Sequence, residues 1–173
     1  MRPSLTLRGV VVTLDMPFTP FHFGPGALLK SFLRHRFSFV TFVASQVVID
    51  FETLYNILTH QPRLHTLFHT YLGSLIPLIL TVVAVYLLAR VAKFFMTLPP
   101  LRPSVTVFSA FVGVWSHVFL DSLMHGDMSP LAPFAEGNVL LGVVSLELLH
   151  LSCLACLFVG ALIYGLAQTK KAP

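Results

Sequence analysis

The run WSHVFLDSLMHGDMSP (residues 115–130) sets His117, Asp121 and His125 four residues apart inside an otherwise apolar stretch. On a helix, side chains at i and i+4 stack on one face, so two imidazoles and a carboxylate would form one column. Imidazole nitrogen and carboxylate oxygen are the donors of Zn²⁺, Mn²⁺ and Fe²⁺ sites. A pair at i and i+4 can grip a single ion, as the two histidines of an H-E-x-x-H helix do. Taken alone, the column is also what a polar stripe at a helix end looks like. What decides between the two is whether other parts of the chain bring partners to the same depth.

The elements that must position such a column are hydrophobic. Of 173 residues, 55% are hydrophobic and 10% charged, where soluble domains carry about 25% charged residues. The length suits one domain. The expected fold is all-α: a multi-span transmembrane helix bundle of about four spans plus a short N-terminal half-helix. Segments 70–95, 104–125 and 138–167 are long enough for the about 20 residues a bilayer requires. A fourth, 38–58, is comparable but contains Asp50 and Glu52. GPGALLKSFLRHR (24–36) reads as the half-helix, opened by Gly24, Pro25 and Gly26. Residues 1–15 lack the continuous apolar core of a signal peptide. They are expected to form a poorly ordered N-terminal extension, with Met16 an alternative start and 16–173 a single transmembrane helical domain. Cys153 and Cys156 read as small packed thiols rather than a redox pair.

The formal charge is +4, yet no basic run is longer than KSFLRHR, so the excess signals membrane topology and not a nucleic-acid partner. With four spans, Lys30, Arg34, Arg36, Arg90, Lys93, Arg102, Lys170 and Lys171 fall on one side. The opposite loops, 59–69 and 126–137, carry only Arg63. The basic face is therefore expected to be cytoplasmic.

At about 1.5 Å per residue, His117 and Asp121 lie roughly 6–12 Å below the other face, and Asp50 about 12 Å below it. His60, His65 and His69 occupy the loop and helix start on that side, and His22 begins the half-helix whose basic end points away. Ionisable groups inside a membrane are costly unless paired or metal-bound. His22, Asp50, one or two of His65 and His69, His117 and Asp121 are accordingly the expected ligands of a divalent ion, Zn²⁺ first, with Mn²⁺ or Fe²⁺ as alternatives. More candidates than the four ligands of one closed zinc site imply a two-metal centre or a spare general base. Such a centre lowers the pKa of bound water toward about 7 and can clamp a phosphoryl oxygen. Asp50, Asp121 and Glu52 are the candidate catalytic carboxylates, although Glu52 points away from Asp50 unless the helix is distorted there. Glu147 and His150 read as a deeper packing pair. His35 lies among basic residues, and His125 and Asp127 read as the mouth of the site or a solvated helix end.

These motifs resemble the LexA-binding, inner-membrane-associated putative hydrolase family, small bacterial multi-span proteins described as membrane-bound metal-dependent hydrolases. MPFTPFHFGPGA resembles the family opening with its early histidine, here His22. SQVVIDFETLY is similar to the P-D-x-[DE] motif, with Asp50 and Glu52 in the acidic positions and Ile49 in place of proline. HQPRLHTLFHT resembles the H-x-x-x-x-H-[ST] segment, which His60 and His65 fit by spacing, with His69 close behind. SHVFLDSLMHGDMSPLAPF is the most specific piece, an H-x-x-x-D followed by Gly and a terminal PF. The resemblance implies a metal-dependent hydrolase of the bacterial inner (cytoplasmic) membrane, distantly like zinc-dependent phospholipases.

A site one or two helical turns below the surface suits a substrate presented by lipid. The leading expectation is hydrolysis of a phosphoester or related bond in a lipid-like substrate at the non-cytoplasmic face. A proton- or divalent-ion-coupled transport protein is the alternative, with Glu147 and His150 extending a pathway inward. A non-catalytic membrane anchor is a third reading, weakened by how little docking surface the short basic loops offer.

Overall fold

Each apolar run becomes one helix in the computed structural model, which describes residues 6–7, 10–11 and 20–169. The helices are α1 (Phe23–Leu33), α2 (Phe39–Leu58), α3 (Leu75–Ala92), α4 (Pro103–Ser122) and α5 (Leu146–Thr169). A two-residue antiparallel ladder pairs Thr6–Leu7 with Val10–Val11. The rest of the 1–15 extension lies outside the described residues.

Local chemistry sets the helix ends. Pro103 opens α4, where its missing N–H is one of the donors a helix start leaves free anyway. Ser38 caps α2, its hydroxyl accepting from the Thr41 N–H at 3.3 Å. The other end of α2 closes in a Schellman turn. The Gln61 N–H donates to the Asn56 carbonyl at 2.8 Å and the His60 N–H to Ile57 at 3.1 Å, with His60 left-handed at φ 55°.

Polar groups share the interior with an apolar core that includes Ile49, Val114, Val118 and Met128, while the outer surface is largely apolar. Among the buried residues of α2 are Ser45, Gln46, Asp50, Thr53 and Asn56. In α3 only Pro77 and Thr81 are buried, and in α5 only Leu149, Cys153 and Gly160. Exposed apolar side chains recur along both outer helices, as at Ile79, Leu87, Leu88, Leu151, Phe158 and Leu162. Helices apolar on their exposed surface are those of a membrane protein. Three of them, α3, α4 and α5, are long and apolar enough to cross a membrane. The fourth expected span, α2, has the length at 20 residues, about 30 Å, but its polar inward face keeps it outside that set.

Two helix pairs position the site. Along α2 and α4, Ser38 meets Ser109, Gln46 meets Gly113 and Asp50 meets His117, so these helices run in the same direction in a fixed register. Gly113 allows the close approach, since a Cβ there would strike the Ser45 side chain and crowd the Phe42 carbonyl. Likewise α1 and α5 run alongside each other, Phe21 stacking on His150 and Gly24 sitting against the Cys153 carbonyl. At Gly160 a Cβ would come within 2.6 Å of the Ala27–Leu28 backbone. Small residues at such crossings are how membrane helices gain packing. Cys153 is thus a packed thiol, as expected, and both cysteines are free.

Candidate metal centre

His117 and Asp121 occupy the last turns of α4 and face inward, 1% and 2% exposed. The register with α2 lays Asp50 beside them: His117 Nε2 lies 3.2 Å from Asp50 Oδ1 and 3.0 Å from Asp121 Oδ2. His69, from the 59–74 loop, completes the group, with Nε2 3.8 Å from Asp50 Oδ1 and 3.6 Å from Asp121 Oδ2. A tetrahedral ion with bonds of about 2.1 Å separates neighbouring ligands by about 3.4 Å. The four donor pairs, at 3.0–3.8 Å, straddle that value. Asp50, His69, His117 and Asp121 could therefore hold one metal ion.

The outward-facing atoms carry the same message. His117 Nδ1 is 2.7 Å from Gln46 Oε1. The Gln46 amide donates in turn to the Gly113 carbonyl at 3.0 Å, which fixes its oxygen as the acceptor. His117 then carries a proton on Nδ1, which leaves Nε2 as the ring nitrogen that faces the group. His69 repeats the arrangement, with Nδ1 3.3 Å from Glu52 Oε2. Partners of this kind fix tautomer and ring orientation in metal-ligating histidines. Meanwhile His117 Nε2, His22 Nε2 and Asp121 Oδ1 are buried without a hydrogen-bond partner. Buried polar atoms are nearly always satisfied, and a cation between Asp50 and Asp121 Oδ2 would satisfy His117 Nε2.

His22 reaches Asp121 from the start of α1, its Nε2 3.4 Å from Oδ1. Burial pushes its imidazole down to about 4, against a smaller upward pull from Asp121, so it is neutral and able to ligate at pH 7. For His69, burial opposes the charged form, but the hydrogen bonds to Asp50 and Glu52 outweigh it and hold the pKa above the ordinary value. The two carboxylates attract any cation, and a metal ion would displace that proton.

A folded-back loop delivers His65 and His69. Gly73 makes the fold possible, because a Cβ there would meet the Leu67 carbonyl. Glu52 anchors the loop by accepting from the Leu67 and Phe68 N–H groups at 2.9 and 2.8 Å. On the regular α2 helix Glu52 does point away from Asp50; it is the loop that comes to it. Asp127 ties the loop to the end of α4, accepting from the Leu64 and His65 N–H groups at 2.8 and 3.1 Å and meeting His65 Nδ1 at 2.9 Å. Burial would raise the Asp127 carboxyl, but these bonds hold it well below the usual carboxylate range.

Of the sequence-predicted ligands, His22, Asp50, His69, His117 and Asp121 converge directly. His65 belongs to an adjoining group with His125 and Asp127, two residues that sequence reasoning left at the mouth. Its ring stacks on His125 at 4.1 Å and meets His69 at 4.8 Å. His60, open as a candidate, is exposed and serves the α2 stop instead. Glu147 is also exposed and His150 stacks on Phe21 at 4.4 Å, so the expected packing pair does not form. Gln46 was missed. Its signal was its place one turn before Asp50, matching the turn between His117 and Asp121. No family model matches the chain, and no curated protein or solved structure matches it either.

Proposed function

We propose that this chain is a membrane-embedded metal-dependent hydrolase acting on a phosphoester or related bond of a lipid-like substrate. The observation that carries the reading is the buried meeting of two carboxylates and two Nε2-presenting imidazoles at ligand spacing, beside buried donor atoms with no other partner. One dication balances the charge of Asp50 and Asp121, which apolar surroundings would otherwise penalise. Two imidazoles and two carboxylates suit Zn²⁺ first, then Mn²⁺ or Fe²⁺. A bound ion would supply an acidified water and a contact for the phosphoryl oxygen. Asp50 or Asp121 would then take the water's proton as its oxygen bonds to phosphorus, and the ester oxygen would leave with that proton. Glu52 acts through His69 as a positioning residue.

The lipid-like substrate draws support from a cavity of about 560 Å³ next to the centre. Its polar wall includes Arg63, His65 and Asp127, and its apolar wall Leu67, Leu72 and Ile76. An arginine suits an anionic headgroup, while leucine and isoleucine suit an acyl chain. Arg63 also lines the neighbouring cavity of about 400 Å³. Lys30, Arg34 and His35 instead line a cavity with the C-terminal part of α5, near the end of α1 remote from His22. By the positive-inside tendency that end is cytoplasmic and the centre lies toward the outer face of a bacterial inner membrane, as the family resemblance implies.

The test is turnover by the detergent-purified full chain on a phosphodiester, a phosphomonoester and a short-chain phospholipid. Chelation should abolish hydrolysis, Zn²⁺ or Mn²⁺ should restore it, and Asp50→Asn should remove it. A wild-type chain that binds metal tightly and turns over none of the three would defeat the hydrolase reading.

A further inference from the structure

Asp121 faces two ways. Its Oδ2 meets His117 and His69 at 3.0 and 3.6 Å, the inner group already described. Its Oδ1 meets His22 Nε2 at 3.4 Å and His125 Nε2 at 4.0 Å, on the side toward the loops. There one donor atom from each of His65, His125 and Asp127 lies within 4.8 Å of the others. His65 has Nδ1 taken by Asp127, which leaves Nε2 as its donor.

We propose that the centre is dinuclear, with a second divalent cation held between Asp121 Oδ1 and the His65–His125–Asp127 group, so that the Asp121 carboxylate bridges two ions. This rests on the hydrolase reading for its purpose but not for its evidence. Two observations besides the spacing of the donors point to the second ion. Asp121 Oδ1 and His22 Nε2 are buried, face each other, and lack any hydrogen-bond partner, and an ion at Oδ2 alone would leave both unsatisfied. The charge count agrees as well. Asp50, Glu52, Asp121 and Asp127 are four of the chain's seven acidic residues, and two dications balance four carboxylates where one leaves two negative charges over.

A carboxylate with one oxygen on each metal fits the about 3.5–4 Å separation of two-metal hydrolytic centres. In such a pair one ion holds the attacking water and the other the phosphoryl oxygen. The outer position is the one beside the Arg63 cavity, which shares His65 and Asp127 with it.

The experiment is Mn²⁺ titration of the chelator-stripped, detergent-solubilised full chain, read by elemental analysis after desalting and by low-temperature electron paramagnetic resonance. Two ions per chain with a spin-coupled signal, falling to one uncoupled ion in His125→Ala and in Asp127→Asn, is the expected result. One ion in the wild type, unchanged by either variant, overturns the second position and leaves the inner metal centre standing. Two uncoupled ions overturn the Asp121 bridge. Two ions in wild type and both variants overturn the His125 and Asp127 assignment. No ion at all overturns both the dinuclear centre and the metal-dependent reading beneath it.

Discussion

The donor groups on either side of Asp121 share their chemistry and differ in what holds them. Inner ligands Asp50, His117 and Asp121 stand on α2 and α4, locked in register by the Ser38–Ser109 and Gln46–Gly113 contacts. The fourth, His69, comes from the 59–74 loop but is held to α2 by Glu52, as His117 is by Gln46. The outer group stands on loops, and its side chains are wetter: 7% exposed at His65, 19% at His125 and 30% at Asp127. Helix-borne ligands with fixed orienting partners are preorganised and favour tight binding. Loop-borne ligands at a cavity favour exchange and access. If both positions fill, the inner ion would be the tightly held one and the outer ion the more exchangeable.

The largest effect should come from the residue common to both sides. Asp121→Ala is expected to leave no ion bound after desalting, whereas Asp50→Ala should empty the inner position alone. Retention of inner metal by Asp121→Ala would break the comparison at its hinge. Next come the orienting partners. Gln46→Leu and Glu52→Gln should each weaken the inner ion about 10–100-fold in a chelator competition, with the outer ion little changed. Equal weakening at both positions would mean that these partners support the whole bundle and not one set of imidazoles.

Hydropathy alone locates α3 and α5, because both spend their length against an apolar surround and carry none of the inner ligands. The inner ligands are legible by another route. Counting residues from a helix end gives depth, and charged groups sharing a depth inside a membrane are forced to find one another. Depth is only one coordinate, however. It assigns His125 and Asp127 to a solvated edge and says nothing of the loop folding back through Glu52 and Gly73 to meet them. It also gave Glu147 and His150 a common burial that the late start of α5 at Leu146 denies, since Glu147 then lies in the exposed first turn. Gln46 escaped because an uncharged amide does not stand out by charge. In α2 the same polar stripe that builds the site lowers the mean hydropathy by which spans are recognised.

Packing and chemistry should separate cleanly away from the centre. Gly160→Ala adds a Cβ that would sit 2.6 Å from the Ala27–Leu28 backbone, where no flexible side chain can give way. Overpacking of this kind costs about 1–3 kcal/mol, readable as an earlier thermal transition in detergent. Inner metal per folded chain should stay at the wild-type level, and its loss would mean that α1 must be clamped to α5 before the inner ligands align.

The smallest effect is expected at the histidine that spacing alone cannot tell from its neighbours. His60 lies five residues before His65 but holds a left-handed turn at φ 55°, closed by its backbone N–H. His60→Gly relieves the side-chain penalty of that conformation while freeing the unfolded chain, two terms of about 1 kcal/mol that oppose each other. Stability should therefore move by no more than about 0.5 kcal/mol, with metal content unchanged. His60→Val is the sharper control. A β-branched residue is poorly tolerated in the left-handed region, so stability should fall by about 1–2 kcal/mol while both ions remain. Loss of an ion from His60→Gly would show that the imidazole, and not the turn, is what the site uses, and would move the ligand set one loop earlier than the geometry has it.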